Sequence, residues 1–462
     1  MTEPMRFEQR MSDSDALMWG IEADPLLRST IIAINLLDRA PDRARLLAKV
    51  EQATREIPRL RQRAVSPPWR VAPPRWVVDA NFDLRYHVRW TKAVGDGSLR
   101  ALLDFAAPIA MQSFDRARPL WEFTVVEGLA DGRAELIQKV HHSVTDGVGG
   151  MKMAMMLLDL ERDPAPNDEP VPDAPAAEHF TPMQLLRDGL AHERRRQFGI
   201  VQRSVGQVRG AISDPLTTAA AAAAGTASLA RMLRPAFAPM SPIMTGRSLS
   251  ARFDVVSAPL SELKAAAKKA EGRLNDAFVA AVAGGLARYH ERHGAPVDEL
   301  RMSMPISVRA ADSDVMGGNQ FVPARFPVPM NIADPLERMR HVRELVQTQR
   351  AEPALSFTEA IAGILTRLPT GITTQIFGGM LKGMDFVTSN VPGAPIPVYL
   401  AGAKLDANYA LGPLSGAAIN ITLLSHLDDV FVGVNSDPAA VPDPDVLIQC
   451  LEEGFAEVRR VA

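Results

Sequence analysis

Six prolines set among acidic residues and alanines, at Pro164, Pro166, Pro170, Pro172, Pro175 and Pro182, divide this chain before anything else does. Proline cannot donate to a ladder and clashes inside a helix, so residues 161–182 have no capacity to build a core. Whatever folds must fold on either side. In a chain of 462 residues that leaves 1–160 and 251–462, each long enough for its own core at the usual ~100–200 residues per domain. Between them, 183–212 reads as a basic helix carrying Arg194, Arg195, Arg196, Arg203 and Arg209, followed by the 219–224 alanine tract and closed by Pro235, Pro239 and Pro242. The expected organisation is two α/β halves, 1–160 and 251–462, joined by a linker and crossover helices over 161–250.

Charge and cysteine content remove several function classes. Lys plus Arg number 51 and Asp plus Glu 54, a net of −3, without the basic excess of a nucleic-acid binder. The single cysteine, Cys450, allows no internal disulfide and no thiolate zinc site, which fits a reducing, cytoplasmic compartment. The N-terminus mixes both charge signs and lacks the apolar core of a signal peptide. The uncharged stretches 386–403 and 407–425 carry Pro392, Pro395, Pro397 and Pro413, so a membrane-spanning reading fails, while contact with a membrane surface stays compatible.

Periodicity predicts helices over 43–55 and 101–111, an extended segment over 76–88, and a hairpin of 121–129 and 133–142 turning at Asp131-Gly132. If that turn is regular, paired numbers sum to 263 and Trp121 lies opposite His142, within a slip of about two residues. A Met- and Leu-rich helix should follow over 151–160. The second half reads as helices over 260–271 and 274–290, the latter with Asn275-Asp276 as an N-cap pair. Strands follow at 300–308 and 319–328, a helix at 335–349, and strands at 398–405, 418–425 and 430–435. The last helix starts at Pro444 and presents Leu447, Cys450, Leu451, Phe455 and Val458 as one core-facing stripe.

The outstanding string is His141-His142-Ser143-Val144-Thr145-Asp146-Gly147, where a strand gives way to a glycine-rich turn. Adjacent side chains on a strand face opposite ways, so only one of the two histidines can serve a given cavity. A neutral imidazole there can take a proton from a hydroxyl near neutral pH. Other readings remain open on the residues alone. The pair could be structural, with Asp146 capping the next helix; His and Asp four apart could share a metal, but no third ligand lies near. Gly147-Val148-Gly149-Gly150 lacks the Lys and Ser/Thr of a phosphate loop. Ser143 has no Gly-x-Ser-x-Gly setting for a nucleophile.

This string is similar to the HHxxxDG motif shared by chloramphenicol acetyltransferase, condensation domains and related CoA-dependent acyltransferases. The chain resembles the bacterial wax ester synthase/diacylglycerol acyltransferase family in particular, and almost end to end. The resemblance runs through the opening 11–25 (MSDSDALMWGIEADP), Pro119-Leu120-Trp121, the histidine string and Asn275-Asp276. It continues with Met304 to Arg309 (MPISVR), Gly318-Asn319 and Ser389-Asn390-Val391-Pro392-Gly393.

The resemblance implies two chloramphenicol-acetyltransferase-like domains, pseudo-repeat sandwich halves, with a tunnel between them. It implies an O-acyltransferase making triacylglycerol from diacylglycerol and a long-chain acyl-CoA co-substrate, and wax esters where the acceptor is a fatty alcohol, with no metal or other cofactor. His142 would be the general base of a direct transfer, and His141 would support the strand or the site's electrostatics. Asp146, beside Gly147, would hold the loop through an ion pair with Arg309. Asn275 would orient the acceptor or donate near the oxyanion, while Trp121 and Asp276 give structural support. Lipid substrates imply work at a membrane or lipid-droplet surface, with the basic 183–212 helix as the candidate anchor. Two alternatives stand beside this: a non-catalytic lipid- or acyl-carrier-binding homologue, and an acyltransferase for another hydroxyl or amine. The sequence departs from the family pattern at Ser241–Gly246, in the 412–422 segment, and at His426, where a tyrosine is usual; these departures bear on substrate preference.

Overall fold

The computed structural model describes residues 8–144, 150, 153–165, 171–213, 238–307, 321–352, 362, 363 and 365–462, with the side chains of 199–213, 321 and 322 left aside. In the first half, strands β1 (Thr30–Leu37), β2 (Gln62–Val65), β3 (Arg75–Val78), β4 (Val88–Lys92), β5 (Trp121–Glu127) and β6 (Ala134–His141) alternate with helices Arg43–Glu56 and Leu99–Met111. In the second, β7 (Arg252–Pro259), β8 (Glu299–Ser307), β9 (Phe321–Pro329), β10 (Phe386–Val391), β11 (Tyr399–Leu400), β12 (Ala403–Leu411), β13 (Ile419–His426) and β14 (Asp429–Ser436) follow, with helices Leu274–Arg292, Pro335–Arg350 and Pro444–Arg459.

Two six-stranded sheets result, ordered β11-β12-β1-β6-β5-β4 and β7-β14-β13-β10-β8-β9. Sheet membership does not follow the linker. β11 and β12 lie late in the chain yet join the first sheet, β12 pairing antiparallel to β1 with Asn35 opposite Asn408. The two sheets therefore interlock. Where β14 of one crosses β12 of the other, a Cβ on Gly433 would lie 2.2 Å from the Ala410 carbonyl oxygen, a separation only glycine permits.

The second half is built around the helix Leu274–Arg292, which is buried on every side from Asp276 to Leu286. An all-round apolar helix of this kind can only be a core element. It approaches Pro444–Arg459 backbone to backbone: a Cβ on Gly454 would meet the Ala281 carbonyl oxygen at 2.3 Å. The predicted stripe of Leu447, Cys450, Leu451, Phe455 and Val458 is buried as a unit against it.

Several expectations need correction. The 76–88 segment is not one strand: after β3 the chain turns at Asp83, whose carboxylate caps the short helix Leu84–His87 before β4. The 398–405 strand breaks at Ala401 and Gly402, both at positive φ, into the tight hairpin of β11 and β12. The helix expected up to Leu160 ends after Met155 among the described residues, and Asp159 instead bridges to Tyr399 at 2.7 and 2.8 Å. Asn275-Asp276 is not the N-cap pair. Arg273 holds the cap position and Asp276, three residues on, accepts its backbone N–H at 2.7 Å, the return half of a capping box.

Candidate functional site

Strand β6 carries the histidine string to the sheet's edge. Its alternation separates two faces: Glu135, Ile137, Lys139 and His141 point one way, Leu136, Gln138, Val140 and His142 the other. His141 closes the ladder opposite Thr30, and the next residue is still anchored, since the His142 N–H donates to the Ser29 carbonyl at 2.8 Å. The chain then turns, with Val144 N–H donating to the His141 carbonyl at 2.9 Å.

The two histidines meet different surroundings. His141 is fully buried, with Trp19 edge-on at 5.3 Å and Phe114 at 6.0 Å between ring centroids. Its Nδ1 accepts the Ser143 backbone N–H at 3.1 Å, so the ring proton sits on Nε2, which donates to Glu22 Oε1 at 2.9 Å. Burial alone would raise the Glu22 carboxyl. The His141 ring, the Ser29 N–H and Arg116 outweigh it and hold Glu22 below the usual carboxylate range. Every hydrogen-bonding atom of the His141 ring is thus committed. His142 is half-buried on the opposite face.

Along the His142 face a narrow cavity opens. Leu136 and Gln138 form one wall, and Asn408 and Leu405 of β12 with His426 of β13 form another. Residues from both sheets therefore meet on the side of β6 that carries the second histidine.

Trp121 lies opposite Val140, not His142, a slip of two residues. The Asp131-Gly132 turn forms with both residues at positive φ, but Gly128 and Leu129 are looped out of the ladder, since Glu127 pairs with Ala134. Trp121 is a buried core aromatic: its indole Nε1–H donates to the Leu60 carbonyl at 2.8 Å and its ring stacks on His87 at 4.4 Å. Burial depresses His87 to about 4, so a neutral ring donates from Nδ1 to the Trp121 carbonyl at 2.7 Å. Asn275, half-buried at the start of its helix, directs Nδ2 to the Met304 sulfur at 3.6 Å. Asp276 is buried, and desolvation raises its carboxyl even against the Arg273 N–H. Asp146, Gly147 and Arg309 lie outside the described residues, and so does the expected ion pair between Asp146 and Arg309.

Sequence reasoning passed over Glu22, Trp19 and Phe114. The first two stand inside the opening 11–25 stretch, whose likeness to the family was the available signal.

The chain matches the wax ester synthase/diacylglycerol acyltransferase catalytic domain over residues 11–278 and the C-terminal domain of the same family over 317–459. It belongs to that family. The family assignment makes it an acyltransferase of triacylglycerol and wax ester synthesis. A candidate diacylglycerol O-acyltransferase of Mycobacterium tuberculosis is 39% identical, over 100% of this chain and 94% of that protein. The fold is similar to that of a wax ester synthase/diacylglycerol acyltransferase from Marinobacter aquaeolei VT8, at a TM-score of 0.62 and 23% identity over 97% of this chain and 98% of that one. The first condensation domain of the calcium-dependent antibiotic synthetase gives a TM-score of 0.60 at 15% identity, over 98% and 95% of the two chains. The two-domain chloramphenicol-acetyltransferase-like architecture is thus shared across nearly the whole length.

Proposed function

We propose that His142 is the general base of a direct acyl transfer from a long-chain acyl-CoA to a lipid hydroxyl. The observation that carries this reading is the asymmetry of the pair. His141 is buried with its ring nitrogens committed to Glu22 and Ser143, whereas His142 stands half-exposed on the cavity face. In the reaction, the imidazole takes the hydroxyl proton as that oxygen bonds to the thioester carbonyl carbon. When the tetrahedral intermediate collapses, the C–S bond breaks and the imidazolium returns the proton to the CoA sulfur. No covalent acyl-enzyme, metal or further cofactor enters. Asn275, held among the described residues by a thioether alone, gives up that weak contact cheaply; we assign it the orientation of the acceptor or of the developing oxyanion.

The acceptor proposed is diacylglycerol, with long-chain alcohols used alongside, because both present the same hydroxyl to the same base. Among the described residues no helix is long and apolar enough to cross a membrane. The helix Pro182–Ser213 exposes Met183, Leu190 and Phe198 on the stripe that also carries Arg187 and Arg194. Apolar plugs between cations suit peripheral contact with an anionic lipid surface.

The test uses purified protein with palmitoyl-CoA and either diacylglycerol or hexadecanol, following CoA release and the lipid product. His142→Ala should lose about 10²–10⁴ in rate while still binding palmitoyl-CoA, and wild-type activity should survive exhaustive chelation. Wild-type protein that binds acyl-CoA but transfers nothing would favour the non-catalytic lipid-binding alternative.

A further inference from the structure

Three carboxamides and an imidazole interrupt the leucine lining of the cavity on the His142 face. Asn35 and Asn408 stand opposite each other across the β1–β12 ladder, Gln138 lies on neighbouring β6, and His426 reaches in from β13. Most of their polar atoms are engaged. Asn35 Nδ2 donates to the Leu136 carbonyl at 3.0 Å and to Gln138 Oε1 at 3.4 Å. The His426 ring nitrogens lie 2.8 Å from the Ala394 carbonyl and 3.2 Å from that of Leu405. Asn408 differs: it is 9% exposed, and its buried Oδ1 has no hydrogen-bond partner among the described residues.

A buried acceptor without a donor is costly, and an apolar chain laid against it leaves that cost in place. Gln138 lines the same cavity and spends its Oε1 on Asn35, so what its carboxamide still has to offer a ligand is N–H. Together the site wants a group that donates to Asn408 and accepts from a carboxamide N–H, and a hydroxyl does both. The open room is about 20 Å³, on the scale of one small polar group. A substrate chain has to part the leucines to enter, and a group that pairs with the amides offsets that cost.

We infer that this cavity selects a long-chain substrate bearing a second hydroxyl on its chain, with Asn408 Oδ1 as the acceptor that reads it. The inference rests on the proposed reading of His142 as the reacting end. From His142 back to the level of Gln138 and Leu136 is four to six residues of strand, about 13–20 Å. That corresponds to roughly ten to sixteen bonds of an extended chain, which puts the hydroxyl in the distal half of a long chain.

The hydroxyl could ride on the acyl chain or on the acceptor, and two arms separate these sources. In the first, calorimetry compares binding of palmitoyl-CoA, its distally hydroxylated analogue and the isomer hydroxylated beside the carboxyl end. In the second, transfer from palmitoyl-CoA to hexadecanol is compared with transfer to the matching long-chain diol. One arm should show about tenfold preference for the distal hydroxyl. Asn408→Leu should abolish or reverse that preference, and Asn408→Ala, the milder change, should abolish it with the thermal midpoint followed as the check on folding. No preference in either arm, equal preference for the carboxyl-end isomer, or a preference untouched by both variants overturns the inference. Selective binding without any transfer would leave the inference standing and refute the His142 transfer reading instead.

Discussion

Glu135 sits near the start of β6 with its side chain wholly buried, and neither carboxyl oxygen has a hydrogen-bond partner among the described residues. Its ladder neighbours are Leu36 and Val126, and among the described residues no cation offsets the loss of water. Burial pushes this carboxyl well above its ordinary value. The folded chain therefore keeps the proton at pH values where the unfolded chain, near 4.3, has lost it. Because the native state binds more protons, stability falls as pH rises from about 4.3 toward the folded value, by about 1.4 kcal/mol per pH unit. Glu135→Gln keeps the shape and an unpartnered polar group but does not titrate. It should match wild type near pH 4 and pull ahead of it progressively as pH rises, until the folded carboxyl itself ionises. Glu135→Met also removes the unmade hydrogen bonds and should add about 1–3 kcal/mol at every pH. Thermal melts of the three proteins from pH 4 to 7 measure both effects. A wild-type-minus-Gln difference that stays flat with pH would refute the reasoning, because it would mean the carboxyl ionises in the fold as it does outside it.

Other positions give further expected outcomes. Gly433→Ala should destabilise by more than about 2 kcal/mol, since its Cβ would press on the Ala410 carbonyl at 2.2 Å; a melt that matches wild type would show the two sheets do not meet as tightly as described. Glu22→Gln should cost about 1–3 kcal/mol near neutral pH. The Glu22 carboxyl is depressed in the fold, so its contribution is present above about 4.3 and lost as pH falls through the folded value, and the two melting curves should converge in acid. Trp121→Leu should lower stability by about 3 kcal/mol, toward the range for large aromatic truncations, while leaving KM for palmitoyl-CoA near wild type, because the indole is engaged by the His87 ring and by its bond to the Leu60 carbonyl. A large rise in KM would place Trp121 in the site after all.

Where the sequence read correctly, one local rule was enough. The Asp131-Gly132 turn, the helix starting at Pro444 and its five-residue stripe each follow from residues within a turn or two of each other. Where it read wrongly, a distant backbone decided. Nothing within 398–405 announces that Ala401 and Gly402 must fold back, because the reason is the β1 edge, more than 360 positions earlier, which β12 completes. The Trp121 register falls within the allowed slip of about two residues: the turn chemistry was right, and the slip came from Gly128 and Leu129 leaving the ladder. The Asn275-Asp276 pair was read as a cap from residue type alone, although Asp276 serves equally well three residues inside the helix by reaching back to Arg273.

The site follows the same logic with a sharper division. Strand alternation alone says that His141 and His142 cannot share a cavity, and that much needs no structure. It does not say which one is enclosed. That choice is made by Glu22 and Trp19, 119 positions upstream in the case of Glu22, and by Phe114, none of which carries a spacing rule linking it to a histidine. Those three close over the first ring, and the proposed assignment of the base to the second rests on that enclosure. His142→Gln and Glu22→Gln should therefore separate cleanly. The first should abolish transfer at unchanged stability, and the second should lower stability and slow transfer only as far as the β6 terminus loosens. If instead Glu22→Gln abolished turnover in protein that melts like wild type, the chemistry would belong to the enclosed histidine and its carboxylate, and the assignment of His142 would have to be withdrawn.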